Sequence, residues 1–121
     1  MMENKIINAT EYGPEIILET KGAIKITGKS RMEDAASYYK EVHDWLSAFI
    51  KESTTSITVE IDLSYFNSSS AKQLLKLLMD IDKANSNGKV IWIYPANNDT
   101  LLERGQELEI MLDLPFEYIA K

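Results

Sequence analysis

The run Ile57-Thr58-Val59-Glu60-Ile61-Asp62-Leu63-Ser64-Tyr65-Phe66-Asn67-Ser68-Ser69-Ser70-Ala71-Lys72 decides the fold. Its first half alternates: Ile57, Val59, Ile61 and Leu63 are separated by Thr58, Glu60 and Asp62. A period of two is a strand with one buried face and one face that is wet or paired. After a loop at Ser64 to Asn67 the period changes. Ala71, Leu74, Leu75, Leu78 and Ile81 fall on one side of a helix. Asn or Ser at that boundary supplies a side-chain oxygen for an orphan helix N–H. Asn87-Gly88 is expected to stop the helix, Gly providing the left-handed cap. Lys89 to Tyr94 then reads as a central strand covered on both faces. Strand, helix and strand in succession predict a crossover unit and parallel pairing.

Upstream, Ala35, Tyr39, Val42, Leu46 and Phe49 share a helical face that runs to about Glu52. Ser30-Arg31-Met32-Glu33 before them reads as a capping box. Still earlier, Ile16 to Leu18 and Ala23 to Ile26 read as a β-hairpin across Thr20-Lys21-Gly22, closed by Gly28. Downstream, Thr100 and Glu103 form a second capping box, with Leu101, Gly105, Leu108 and Leu112 inward. Pro115 follows, and Phe116 to Ile119 makes a last strand. The expectation is one α/β domain over residues 1–121, with residues 1–8 loosely ordered. Its order is ββαβαβαβ, a mixed, mostly parallel sheet with an N-terminal β-hairpin. That arrangement resembles the STAS domain of anti-sigma-factor antagonists.

Composition narrows the chemistry. A chain of 121 residues supports one domain. It has no Cys, which excludes disulfides, Cys-held metals and a thiol nucleophile. A single His, His43, excludes a multi-histidine metal site. The net charge of −6 argues against sequence-blind nucleic-acid binding. No apolar run approaches the length a bilayer needs, and Met1 to Ile7 lacks the apolar core of a secretory signal. The expectation is a cytoplasmic protein without membrane, nucleic-acid, metal or cofactor partners. There is no Gly-rich phosphate loop and no Gly-x-Ser-x-Gly elbow. His43 reads as a solvated helix residue. Glu33, Asp34, Glu41, Asp44, Glu107, Glu109 and Glu117 read as caps and solvated helix faces. Glu60 and Asp62 share a strand face and read as exposed or salt-bridged, the alternative being a small carboxylate-dependent hydrolase. Tyr38, Tyr39 and Trp45 read as core and rim packing, the alternative being a partner-binding surface.

Three successive hydroxyls, Ser68, Ser69 and Ser70, exceed what one cap requires. A hydroxyl at a helix N-terminus faces the positive end of the dipole and can carry a phosphate there. Phosphorylation would add about −1.5 to −2 charge without breaking the fold. Its effect would fall on a partner docked over that surface. The residue pattern alone leaves all three serines open.

At this segment the chain resembles the SiaC family of bacterial regulatory phosphoproteins. Tyr65-Phe66-Asn67-Ser68-Ser69-Ser70-Ala71-Lys72 is similar to that family's Tyr-Phe-Asn-Thr/Ser-Ser-Ser-x-Lys signature. Gly28-Lys29-Ser30 with Glu33-Asp34, then Tyr39, Trp45-Leu46, Leu102-Glu103-x-Gly105 and Leu114-Pro115-Phe116 extend the resemblance along most of the chain. Lys29 and Met32 stand where the family often has Arg and Pro. The resemblance implies a STAS-like fold without enzymatic activity. It implies reversible phosphorylation on the residue after the signature Asn, here Ser68, ahead of Ser69 or Ser70. It implies partner contacts from Tyr65, Phe66, Asn67, Ser69 and Lys72. The partners implied are a cognate serine/threonine kinase, a PPM-type protein phosphatase and a diguanylate cyclase. The cyclase would be activated by the unphosphorylated form, raising cyclic di-GMP and favouring aggregation or biofilm. The alternative is an anti-sigma-factor antagonist in a partner-switching pathway.

Overall fold

In a computed structural model, which describes residues 2–84 and 87–121, the alternating run becomes the middle of a six-stranded sheet. The elements are β1 (Lys5–Ile7), β2 (Glu15–Glu19), β3 (Ala23–Ser30), α1 (Ala35–Glu52), β4 (Thr58–Phe66), α2 (Ser68–Lys83), β5 (Lys89–Tyr94), α3 (Asp99–Ile110) and β6 (Phe116–Ala120). Across the sheet the strands follow chain order from β1 to β6. The first three pair antiparallel, and β3 to β6 pair parallel. The turn Thr20 to Gly22 forms as expected, with Gly22 at φ +97°.

The sheet advances in one direction, and right-handed crossovers are the rule for L-chains. Together these put every connecting helix on the same face. The register agrees. Ile26, Ile61 and Trp92 lie side by side and are buried, as are Ile24, Val59 and Val90. Lys25, Glu60, Ile91 and Glu117 lie side by side on the other face, exposed or half-exposed. The expectation that β5 is covered on both faces is therefore corrected: Val90 and Trp92 are sealed, Ile91 and Ile93 only half-buried.

Other boundaries move for local reasons. Lys5 to Ile7 pairs with Leu18 to Ile16, so residues 1–8 are not uniformly loose and the order is βββαβαβαβ. The hairpin leaves an unpaired edge on β2, which this segment satisfies. Trp45 Nε1 pins it further by donating to the Glu3 carbonyl at 3.0 Å. Gly28 does not close the hairpin. It sits at φ +121°, where the β3–β4 register shifts, and β3 runs on until Ser30 faces Phe66. Ser64 to Phe66 is accordingly strand and not loop. Ser30 therefore cannot cap α1. That cap is Asp34, whose carboxylate accepts from Ser37 N at 3.1 Å. The Thr100 box is likewise displaced: Asn98 caps α3, accepting from Leu101 N at 3.1 Å. α2 ends at Lys83 with Ala84 in the right-handed region as its cap, and Gly88 has no positive φ.

Candidate functional site at the start of α2

β4 and α2 meet at Asn67, the N-cap of α2. Its Oδ1 accepts from Ser70 N at 2.9 Å. Its Nδ2 donates to the Met32 carbonyl at 3.0 Å, and its backbone N–H donates to the Ser30 carbonyl at 3.0 Å. One residue thus fastens the start of α2 to the loop between β3 and α1.

The three serines then part company. Ser68, the first helical residue, is exposed, and its hydroxyl takes no partner among the described residues. The Ser69 hydroxyl turns back to the same loop, donating to the Glu33 carbonyl at 3.2 Å and accepting from Ala35 N at 3.3 Å. Ser70 is fully buried. Its hydroxyl donates to the Ser30 carbonyl at 3.0 Å and accepts from Ser30 Oγ at 2.6 Å. Tyr39 OH lies 2.9 Å from Ser30 Oγ, and with Ser30 donating onward to Ser70 the phenol is the donor there. All three hydroxyls of this buried relay, Tyr39, Ser30 and Ser70, are satisfied, as buried polar groups require. Burial pushes the Tyr39 phenol up to about 12. The inclusion of Ser70 among candidate acceptors is corrected: a hydroxyl with no exposed surface is closed to a kinase.

The expected contact residues separate in the same way. Phe66 is only 1% exposed, so its side chain is core and not a contact. Its ring lies edge-on to Trp92 and beneath the Arg104 guanidinium, 3.9 Å from the ring centre. Arg104 Nη1 also donates to the Phe66 carbonyl at 2.6 Å. Asn67 and Ser69 spend their polar atoms inward. Tyr65 is 49% exposed and shares a surface recess with Lys29, Arg31, Ser64 and Asn67. Lys72 is exposed one turn beyond Ser68. Neither Lys29, Arg31 nor Lys72 meets a carboxylate among the described residues.

Sequence reasoning missed Ser30 and Arg104 as parts of this site. Ser30 carried a signal: it continues the inward alternation Ile24, Ile26, Gly28. Arg104 carried none, standing at a position between Glu103 and Gly105 to which no motif assigns a role.

Elsewhere, His43 is not solvated. It is half-buried between α1 and α2, with Nε2 2.9 Å from Gln73 Oε1. Asp62 pairs with Lys121 Nζ at 2.7 Å, and Glu60 stands half-exposed on the open sheet face. Tyr39 and Trp45 are core, and Tyr38 donates to the Pro14 carbonyl at 2.7 Å. Among the described residues no cluster of three His, Cys, Asp or Glu could hold a metal ion, and no helix is long and apolar enough to cross a membrane.

The family model described as "SiaC family regulatory phosphoprotein" matches residues 7–121. The chain belongs to the SiaC family. An uncharacterized protein of Pseudomonas aeruginosa strain UCBPP-PA14 is 24% identical over 98 residues, 78% of each chain. Among solved structures, apo-SiaC from Pseudomonas aeruginosa superposes with a TM-score of 0.90 at 23% identity, covering 98% of this chain and 100% of that one. A second, with a TM-score of 0.91 at 23% identity, covers 97% of this chain and 99% of that one. It is SiaC in complex with the diguanylate cyclase SiaD, which that SiaC activates. At such identity the likeness speaks for the fold. It gives this SiaC-family chain a mixed α/β domain with an N-terminal antiparallel extension, as the sequence led one to expect.

Proposed function

We propose that this SiaC-family chain is a non-enzymatic phospho-switch, and that reversible phosphorylation of Ser68 decides whether it docks on a diguanylate cyclase. A cognate serine/threonine kinase adds the phosphate and a PPM-type phosphatase removes it. The unphosphorylated form binds and activates the cyclase, raising cyclic di-GMP. The carrying observation is the contrast within one turn of helix. Ser68 is exposed with a free hydroxyl, while Ser69 is engaged and Ser70 is sealed. A phosphate on Ser68 would stand at the N-terminal end of a 16-residue helix, where negative charge is favoured. It would break none of the hydrogen bonds that mount α2. The cyclase enters the reading through the complex formed by the Pseudomonas aeruginosa relative.

The test has two parts. The chain is incubated with the serine/threonine kinase of its own source cells and ATP, and the site is mapped by mass spectrometry. One phosphate on Ser68, abolished in Ser68→Ala, is expected. Phosphate elsewhere, or undiminished labelling of Ser68→Ala, overturns the acceptor. Calorimetry of phosphorylated and unphosphorylated chain against the cyclase is then expected to show tight binding for the unphosphorylated form alone. Equal affinities overturn the switch.

A further inference from the structure

The face of the sheet turned away from the helices is uncovered. One row of its side chains crosses all six strands in order: Ile6, Ile17, Lys25, Glu60, Ile91 and Glu117. One pleat nearer the start of β3, a second row runs Glu19, Ala23, Thr58 and Lys89. Parallel sheets are almost always covered on both faces. Here β3 to β6 are parallel, yet Ile91 and Ile93 are left half-buried, with Ile119 41% exposed beside them. On β1, Ile6 is 61% exposed. Lys25, Glu60, Lys89 and Glu117 form no ion pair among the described residues.

The charges on this face complement themselves. The midline of the sheet falls between β3 and β4. Consider a two-fold axis in the plane of contact, along the strands and over that midline. It sets β3 of one copy against β4 of the other, and β2 against β5. Lys25 and Glu60 then close a square of four charges, each facing its opposite. Ile17 faces Ile91 on either side of that square. In the second row Glu19 faces Lys89, and Ala23 faces Thr58. Toward the other end of the strands Thr27 faces Asp62, hydroxyl against carboxylate. Asp62 is already neutralised by Lys121 at 2.7 Å. Glu117 and Glu15 fall toward the margins, against Ile6 and the end of β5. Lys29, beyond the register shift, falls against Tyr65. In no row does a charge meet its like.

We infer that this face seats a second copy of the chain, in a two-fold, sheet-on-sheet dimer. Aligned sheets pack about 10 Å apart with strands within about 30°, close enough for Lys25 to reach Glu60 of the other copy. Six strands about 4.8 Å apart, each about five residues of about 3.3 Å long, give a footprint of about 500 Å² per copy. That makes about 1,000 Å² in all, the lower bound of a specific interface, so dissociation in the micromolar range is expected. The axis preserves strand direction, so both Ser68 hydroxyls stand at the same end of the dimer. The inference does not depend on the phospho-switch reading.

Sedimentation velocity of the full chain, from about 1 µM to about 500 µM, spans the expected dissociation constant. The wild-type chain is expected to pass from monomer to dimer across that range. Lys25→Glu and Glu60→Lys each set like charges face to face, and each is expected to dimerise at least tenfold more weakly. Mixed in equal amounts, the two variants are expected to associate again within about threefold of wild type. The acidic pair of one then meets the basic pair of the other, which a change inside the monomer cannot mimic. Lys76→Glu on α2, with the same change of charge on the other side of the sheet, is expected to dimerise as wild type does. Thermal melting confirms that each variant is folded. Should either central variant fail to fold, Glu19→Lys and Lys89→Glu on the second row carry the same mixing test. A wild-type chain that stays monomeric at the highest concentration overturns the inference. So does a dimer that ignores the substitutions, or a mixture that stays monomeric.

Discussion

Replacing Asn67 separates the mounting of the site from its contacts. Asn67→Ala removes the α2 cap, the 2.9 Å bond from Ser70 N, which is worth about 1 kcal/mol. It also removes the 3.0 Å bond to the half-buried Met32 carbonyl, worth about 1 kcal/mol more. The expected loss is about 2 kcal/mol, or roughly 6–10 °C in Tm for a domain of this size. Asn67→Ser keeps an oxygen for the cap and loses only the Met32 bond, so about 1 kcal/mol is expected. Urea unfolding of the three chains, fitted with a common slope, measures the series. Because both polar ends of Asn67 point into the protein, each variant is expected to bind the cyclase within threefold of wild type at a temperature where it is folded. Asn67→Ala within 0.5 kcal/mol of wild type would refute the clamp. A tenfold loss of affinity at unchanged stability would show instead that the side chain touches the partner.

Gly105 packs so closely on the Trp92 indole that a Cβ would lie 2.7–2.8 Å from its ring atoms. Gly105→Ala is therefore expected to cost about 2 kcal/mol by overpacking, despite the gain of about 1 kcal/mol in helix propensity; a raised Tm would refute this. Ser70→Ala strands the Ser30 hydroxyl and is expected to cost about 1–2 kcal/mol in urea unfolding while leaving phosphate incorporation at Ser68 unchanged. The Tyr39 phenol, raised to about 12 by burial, stays protonated in the folded chain after the unfolded chain has lost its proton near 10. Stability from this group is complete below about pH 10 and falls as pH rises toward 12, by about 2–3 kcal/mol in all. Tyr39→Phe, compared with wild type across that range, is expected to flatten that part of the decline; parallel curves would refute it.

The strands and helices were legible where periodicity was strong. Ile57 to Leu63 alternated because one face of β4 is sealed, and the stripe from Ala35 to Phe49 matched the buried face of α1 almost residue for residue. Boundaries failed where two local signals competed. Ser30 with Glu33 has the composition of a capping box, yet Ser30 is held by β3 pairing with Phe66 and by Tyr39 and Ser70. The two side-chain partners, Tyr39 and Ser70, lie 9 and 40 residues away, out of reach of a local rule. The one-sided cover of β5 was hidden for a similar reason. A half-buried Ile91 and a buried Val90 are the same kind of letter, and only the direction of strand advance decides which face the helices take. The serine cluster could be seen in the sequence, but not the division of labour within it, which depends on where each χ1 points from the first turn of α2.

That division sets the size of effect the switch can have. A phosphate on Ser68 leaves the mount of α2 intact, so its influence on a partner is electrostatic and steric. A dianion about 6 Å from an acidic side chain repels it by about 1.4 kcal/mol in bulk-like water, about tenfold in affinity, and salt erodes even that. At the effective dielectric of about 20 found near protein surfaces, the same pair is worth several kcal/mol. A switch that is strong in the cell therefore requires the partner to cover Ser68 and exclude water from it. Passing near the site would be too weak. The phosphorylation effect on cyclase affinity is accordingly expected to exceed tenfold and to persist when salt is raised from about 0.05 M to about 0.5 M. A ratio that collapses below threefold at high salt would mean that Ser68 lies outside the covered area, and that its phosphate acts only as a distant, screened charge.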